Sequence, residues 1–148
     1  MTTRDQLYAK FGIAAEAAQL FETELGTIIL GSRAIQEGWH IIPEADIARA
    51  ELDVINASTL GQALGKLKAV VQLDDEIINR FASALKARND LTHGFFLKHG
   101  IDVQTEQGRG KMVVELEELH TEIFNAWMQA SAISDALMQL IEKLKSPH

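Results

Sequence analysis

Apolar residues recur along the first forty positions in alternating steps of four and three. The series is Leu7, Phe11, Ala14, Ala18, Phe21, Leu25, Ile28, Ser32, Ile35 and Trp39, broken only by Ser32. An apolar position every 3.5 residues on average is the seam of a helix that packs along its whole length. It predicts one long helix over residues 5–38, in which Gly26 and Gly31 allow close packing or a bend. Gly38 and Pro43 mark its end. A seam this long exceeds what a small bundle covers. Its surplus is expected to meet either a second copy of the chain or residues 40–57 folding back over it.

Residues 46–56 read as a short helix or an ordered loop. Ser58 or Thr59 then caps a helix carrying Leu60, Leu64, Leu67 and Val71. Asp74, Asp75 and Glu76 suit the positive start of the next helix, whose stripe is Ile77, Phe81, Ala84, Arg88 and Leu91. Gly94 is placed to end it as a left-handed cap. Phe95-Phe96-Leu97 and Met112-Val113-Val114 are β-prone runs with Gly100, Gly108 and Gly110 between them. A short loop or small β-hairpin is expected there. The last helix is predicted over 115–145, with Leu116, Leu119, Ile123, Trp127, Ala130, Ile133, Leu137, Leu140 and Leu144 on its apolar stripe. Glu115, Glu117, Glu118 and Glu122 crowd its start, and Lys143 and Lys145 its end. Two long helices and two shorter ones predict an all-α fold, a four-helix bundle in a single domain over residues 1–148.

The composition, 47% apolar and 24% charged over 148 residues, is that of a globular domain with a sizeable core. With no cysteine the chain has no disulfides and no thiolate metal sites, which fits a reducing compartment. No apolar run approaches the roughly 18 residues of a membrane helix, and MTTRDQLYAK lacks the apolar core of a signal peptide. The expectation is a cytoplasmic protein with no membrane partner. The net charge of −7 weighs against non-specific nucleic-acid binding. That average hides a local reversal, because residues 80–111 carry +3 and the rest of the chain −10.

The basic segment surrounds Arg88-Asn89-Asp90-Leu91-Thr92-His93. Arg88 falls on an apolar stripe, where a charge is costly unless something pairs with it. His93 lies five residues on, about 140° around a regular helix. Arginine offers a planar fork of donors to a phosphate, and histidine exchanges a proton near neutrality. The residues leave a plainer reading open. Arg88 would then pair with Asp90, Glu76 or a helix C-terminus, and His93 would cap helix carbonyls.

An arginine, a polar residue directly after it, and a histidine after a spacer of four to six residues (four here, with Asn89 the polar residue) resemble the signature of the HEPN superfamily, the higher eukaryotes and prokaryotes nucleotide-binding domains. The setting is similar too: the motif closes a helix, follows a long N-terminal helix and precedes a long final one. The resemblance implies a dimerising helical bundle with two motifs across a shared cleft. It also implies metal-independent endoribonuclease activity in many members and silence in others. Carried over, His93 would act as general base on the ribose 2′-OH, Arg88 would bind the scissile phosphate, and Asn89 would orient the phosphate or the histidine. Lys86 and Lys98 are candidates for further RNA backbone contacts. RNA as substrate, a homodimer, and an antitoxin or other regulatory protein are the partners this implies, in a toxin, defence or stress-response role. The alternative is a non-catalytic HEPN-like dimer that binds a protein or a nucleotide. In the toxin branch that a nucleotidyltransferase modifies with AMP, a tyrosine stands two residues after the histidine. Here that position is Phe95, and the one tyrosine is Tyr8.

Other chemistry is thin. His40, His93, His99, His120 and His148 show no metal-ligand spacing, and no cofactor or metal is expected. Gly108-Arg109-Gly110-Lys111 resembles a phosphate loop in composition but lacks the strand–loop–helix setting, and reads as a flexible hairpin tip. Trp39 and Trp127 lie on apolar stripes and are expected in the core.

Overall fold

A computed structural model describes residues 2–39, 43–57 and 60–145. Among these residues the chain is helical, with no strand and no helix long and apolar enough to cross a membrane. Six α-helices follow in order: α1 Arg4–Glu37, α2 Ala45–Ala57, α3 Leu60–Val70, α4 Asp75–Thr92, α5 Phe95–Lys98 and α6 Glu106–Lys145. A 3-10 turn at Asp102–Gln104 precedes α6. The described chain divides into two compact units. The first comprises Met1–Phe21 with Arg80–Trp127, the second Glu22–Asn79 with Met128–His148.

Local chemistry sets the helix starts. Thr3 and Gln6 form a reciprocal box at the head of α1. The Gln6 amide donates to Thr3 Oγ1 at 3.1 Å and the Thr3 amide to Gln6 Oε1 at 2.9 Å. Asp74 caps α4 by accepting from the Ile77 amide at 3.0 Å. Thr105 caps α6, its Oγ1 accepting from the Gly108 amide at 2.9 Å. Ser58 and Thr59, expected to cap α3, and His40 and His148 lie outside the described residues.

In the first unit, Leu7, Ala14, Ala18, Phe21, Phe81, Ala84, Leu91, Met112, Leu116 and Ile123 are buried. All but Met112 follow the stripes expected for α1, α4 and α6. Phe21 meets Phe81 edge to face at 5.5 Å, an arrangement aromatic quadrupoles favour. In the second unit Leu25, Ile28, Ile29, Ile55, Leu64, Leu67 and Ala130 are buried. Here α2 lies against α1: Ile55 Cγ2 is 3.4 Å from where a Cβ on Gly26 would stand, and Arg33 reaches Glu51 at 3.9 Å. Residues 45–57 therefore fold back onto α1, beside the seam at Gly26 and Arg33. Trp39 and Trp127 are half-buried rather than core residues.

Further sequence expectations are corrected. The stretch between α4 and α6 forms no hairpin. Phe95–Lys98 winds into one helical turn, with the Lys98 amide donating to the Gly94 carbonyl at 2.8 Å. Met112–Val114 belongs to α6, where Met112 is buried and Val114 exposed. The β-preference of these residues reflects how they pack, and a helix packs Phe95 and Met112 as well. Gly94 stands at φ 166°, close to extended, so it is no left-handed cap; Gly38, at φ 74°, is the left-handed glycine that follows α1. Finally, α6 begins at Glu106, so Glu115, Glu117, Glu118 and Glu122 lie well inside it, away from the positive end of its dipole. Arg109 and its flanking glycines form its first turns rather than a flexible tip. Arg109 donates to the carbonyls of Thr2 at 2.8 Å and Val103 at 3.0 Å.

Candidate functional site

Arg88, Asn89 and His93 come together at the end of α4. The helix stays regular through the motif, since the His93 amide still donates to the Asn89 carbonyl at 2.9 Å. The two residues therefore remain about 140° apart around the axis. The side chains bridge that angle. Arg88 Nη1 lies 3.3 Å from His93 Nε2 and 3.2 Å from Asn89 Oδ1. Guanidinium only donates, so the contact with His93 is a hydrogen bond when Nε2 carries a lone pair and the ring proton sits on Nδ1. Arg88 is half-buried, whereas Asn89 and His93 are exposed. The expected penalty for a charge on an apolar stripe is thus met in two ways: by partial exposure and by partners for the guanidinium.

Asn89 and Asp90 from α4, His93 directly after it, Phe95 and Lys98 from α5, and Glu115 from α6 line an open depression of about 400 Å³. Arg88 is not on its wall and reaches His93 from the side. Lys98 faces the depression with its ammonium 2.8 Å from Glu115 Oε1. Lys86 does not join it. Its side chain is 83% exposed and its partner is Asp90, at 3.8 Å. Of the five residues singled out from the sequence, three share direct contacts, Lys98 shares the depression with two of them, and Lys86 stands outside it.

Behind Lys98 lies a cluster the sequence reading missed. His99 is buried with both ring nitrogens facing carboxylates. Nδ1 is 2.8 Å from Asp102 Oδ2, and Nε2 makes a short contact with Glu115 Oε2. The ring also packs on Phe95 at 4.8 Å. Burial works against the charge on Glu115, but hydrogen bonds from Lys98 and His99 outweigh it and hold the carboxyl below its ordinary value. The hydrogen bond to Glu115 in turn raises the Lys98 ammonium above its ordinary value. The sequence carried one signal of this cluster, a histidine and an aspartate three residues apart after an aromatic pair. The helix start assigned at residue 115 hid the role of Glu115.

A larger and more apolar groove, about 650 Å³, lies in the second unit and is lined by Leu30, Trp39, Leu52 and Met138 among others. No histidine lines it among the described residues, so it lacks the arginine–histidine contact of the α4 site. Comparison of the chain with family models, with curated proteins and with solved structures gives no match.

Proposed function

We propose that the chain is a HEPN-like domain with that family's four-helix architecture, and that it is a metal-independent endoribonuclease acting as a homodimer. The observation that carries this reading is the contact of Arg88 Nη1 with His93 Nε2 at 3.3 Å, with Asn89 bonded to the same guanidinium nitrogen. It supports a neutral imidazole poised as a base, with a phosphate-binding fork beside it. An incoming phosphodiester draws the guanidinium onto its non-bridging oxygens and frees the Nε2 lone pair. Nε2 then takes the proton of the ribose 2′-OH, and the 2′-oxygen bonds to phosphorus. The bond from phosphorus to the 5′-oxygen breaks, and that oxygen takes a proton from water. The products are a 2′,3′-cyclic phosphate and a 5′-hydroxyl. Arg88 opposes the charge that builds on the phosphoryl oxygens, and Asn89 keeps the fork aligned. Lys86 and Lys98 are proposed to contact flanking phosphates. Lys86 and its partner Asp90 are an exposed surface pair, which exchanges readily. A toxin, defence or stress-response role with an antitoxin or regulator is the biological setting this reading implies.

A non-catalytic HEPN-like dimer that binds a protein or nucleotide is the second reading. Asp90 and Glu115 favour it, because both carboxylates line the depression and oppose a polyanion. RNA cleavage in EDTA separates the two. The expected result is cutting that leaves 2′,3′-cyclic phosphate ends, lost in Arg88→Ala and His93→Ala. The melting temperature of His93→Ala should stay near wild type, since the imidazole is exposed. Cleavage that persists in folded His93→Ala refutes the mechanism.

A further inference from the structure

The depression beside His93 contains an acid that the proposed reaction does not use. Glu115 is a carboxylate on the wall of a site meant for phosphate, and by Coulomb's law it repels that ligand. It helps only by holding a cation in place. The contacts fit this role. Lys98 Nζ is 2.8 Å from Glu115 Oε1, Glu115 Oε2 faces His99 Nε2, and His99 Nδ1 is 2.8 Å from Asp102 Oδ2. The chain runs from the buried His99 ring, 8% exposed, to a Lys98 side chain that is 66% exposed. A surface lysine ordinarily samples many rotamers and loses that freedom when fixed. Lys98 is tethered at its tip, on the same depression as His93.

We infer that Glu115 is a positioning residue: it holds the Lys98 ammonium beside His93 as the second cation for an RNA phosphodiester, and His99, backed by Asp102, holds Glu115. The role of His93 comes from the ribonuclease reading, on which the inference rests for its substrate class. The positioning itself rests on the contacts alone.

The sign of one effect tests it. The assay is the affinity, by fluorescence anisotropy, for a 2′-O-methyl RNA oligonucleotide, which keeps the phosphates but lacks the attacking hydroxyl. The proteins are wild type, Glu115→Gln, Lys98→Gln and the double variant, each checked by thermal melt. Simple charge removal makes Glu115→Gln bind tighter. Positioning makes it bind weaker, by about fivefold at the strength of a partly exposed pair. Lys98→Gln is expected to weaken binding to a similar extent. Adding Glu115→Gln to Lys98→Gln should then tighten it, because only repulsion remains to be removed. Asp102→Asn provides a second route should Glu115→Gln fail to fold. Asp102 does not line the depression, and loosening His99 through it should weaken binding in the same direction. On cleavable RNA, KM is expected to rise in Glu115→Gln while kcat stays near wild type. Tighter binding by folded Glu115→Gln, or no binding by wild type, overturns the inference. Failure of the wild type to cleave RNA, with the sign pattern intact, removes the ribonuclease reading and leaves the positioning role standing.

Discussion

Substituting alanine for Gly108 and for Gly12 sets two opposing effects against each other in one residue type. Both glycines lie within helices, Gly12 in α1 and Gly108 in the first turns of α6. Glycine costs a helix interior about 1 kcal/mol relative to alanine, so propensity alone favours both substitutions. The surroundings differ. A Cβ on Gly12 meets nothing within 4 Å, whereas a Cβ on Gly108 stands 2.1 Å from the Asp102 carbonyl oxygen. Nonbonded atoms attract at roughly 3.5 Å, so this contact is more than an ångström too close. The neighbour is backbone, held by the Arg109 guanidinium on the Val103 carbonyl at 3.0 Å, and cannot rotate away. Overpacking of this kind costs about 1–3 kcal/mol, and a backbone neighbour belongs at the upper end. Net of propensity, Gly108→Ala is expected to destabilise by about 2 kcal/mol and lower Tm by roughly 4–8 °C. Gly12→Ala should raise Tm by roughly 2–4 °C. Differential scanning calorimetry on the two variants and wild type reads both signs. An unchanged or raised Tm in Gly108→Ala refutes the close approach of the 3-10 turn to α6. Because Asp102 also meets His99, Gly108→Ala should disturb the Glu115 cluster as well.

Other outcomes follow from single contacts. Phe81 is fully buried, so Phe81→Ala should cost about 3–5 kcal/mol in urea unfolding, and a loss under 1 kcal/mol argues against its packing on Phe21. Asp74→Ala removes the cap on α4 and should cost about 1 kcal/mol, read from the same titration, while Asp74→Ser should restore most of it. The Glu115 carboxyl is held below its unfolded value of 4.5, so its stabilisation is fully present above that pH and lost as pH falls through the lower folded value. The stability gap between wild type and Glu115→Gln should therefore be widest at neutral pH and close on acidification below 4.5; a gap that widens in acid contradicts the assigned direction.

Much of the helical frame was legible because period and caps act locally. The seam from Leu7 through Ile28 repeats at helical spacing, and α1 spans Arg4–Glu37 against the expected 5–38. The carboxylates at residues 74–76 stand at the head of α4 for the reason the dipole gives. The error between α4 and α6 had a local source as well. Gly108 and Gly110 look like breakers, and Phe95-Phe96-Leu97 looks like a strand. The Thr105 cap, which starts α6 nine residues earlier than expected, was equally present in the sequence but weaker than two glycines in propensity terms.

The candidate site divides along the same line. That Arg88, Asn89 and His93 belong together follows from their spacing at a helix end, which their own side chains can span. That Glu115 turns to His99 and Lys98 does not follow from any local pattern, because sixteen or seventeen residues separate it from them. Such a meeting depends on where α5 and the 3-10 turn lie on α6, which in turn depends on Gly108 letting the Asp102 backbone approach. Periodicity and capping are energies within one helix turn and can be read along the chain. The neighbours of a charge are set by packing between segments, and they decide whether a lysine is a free surface group or a placed one.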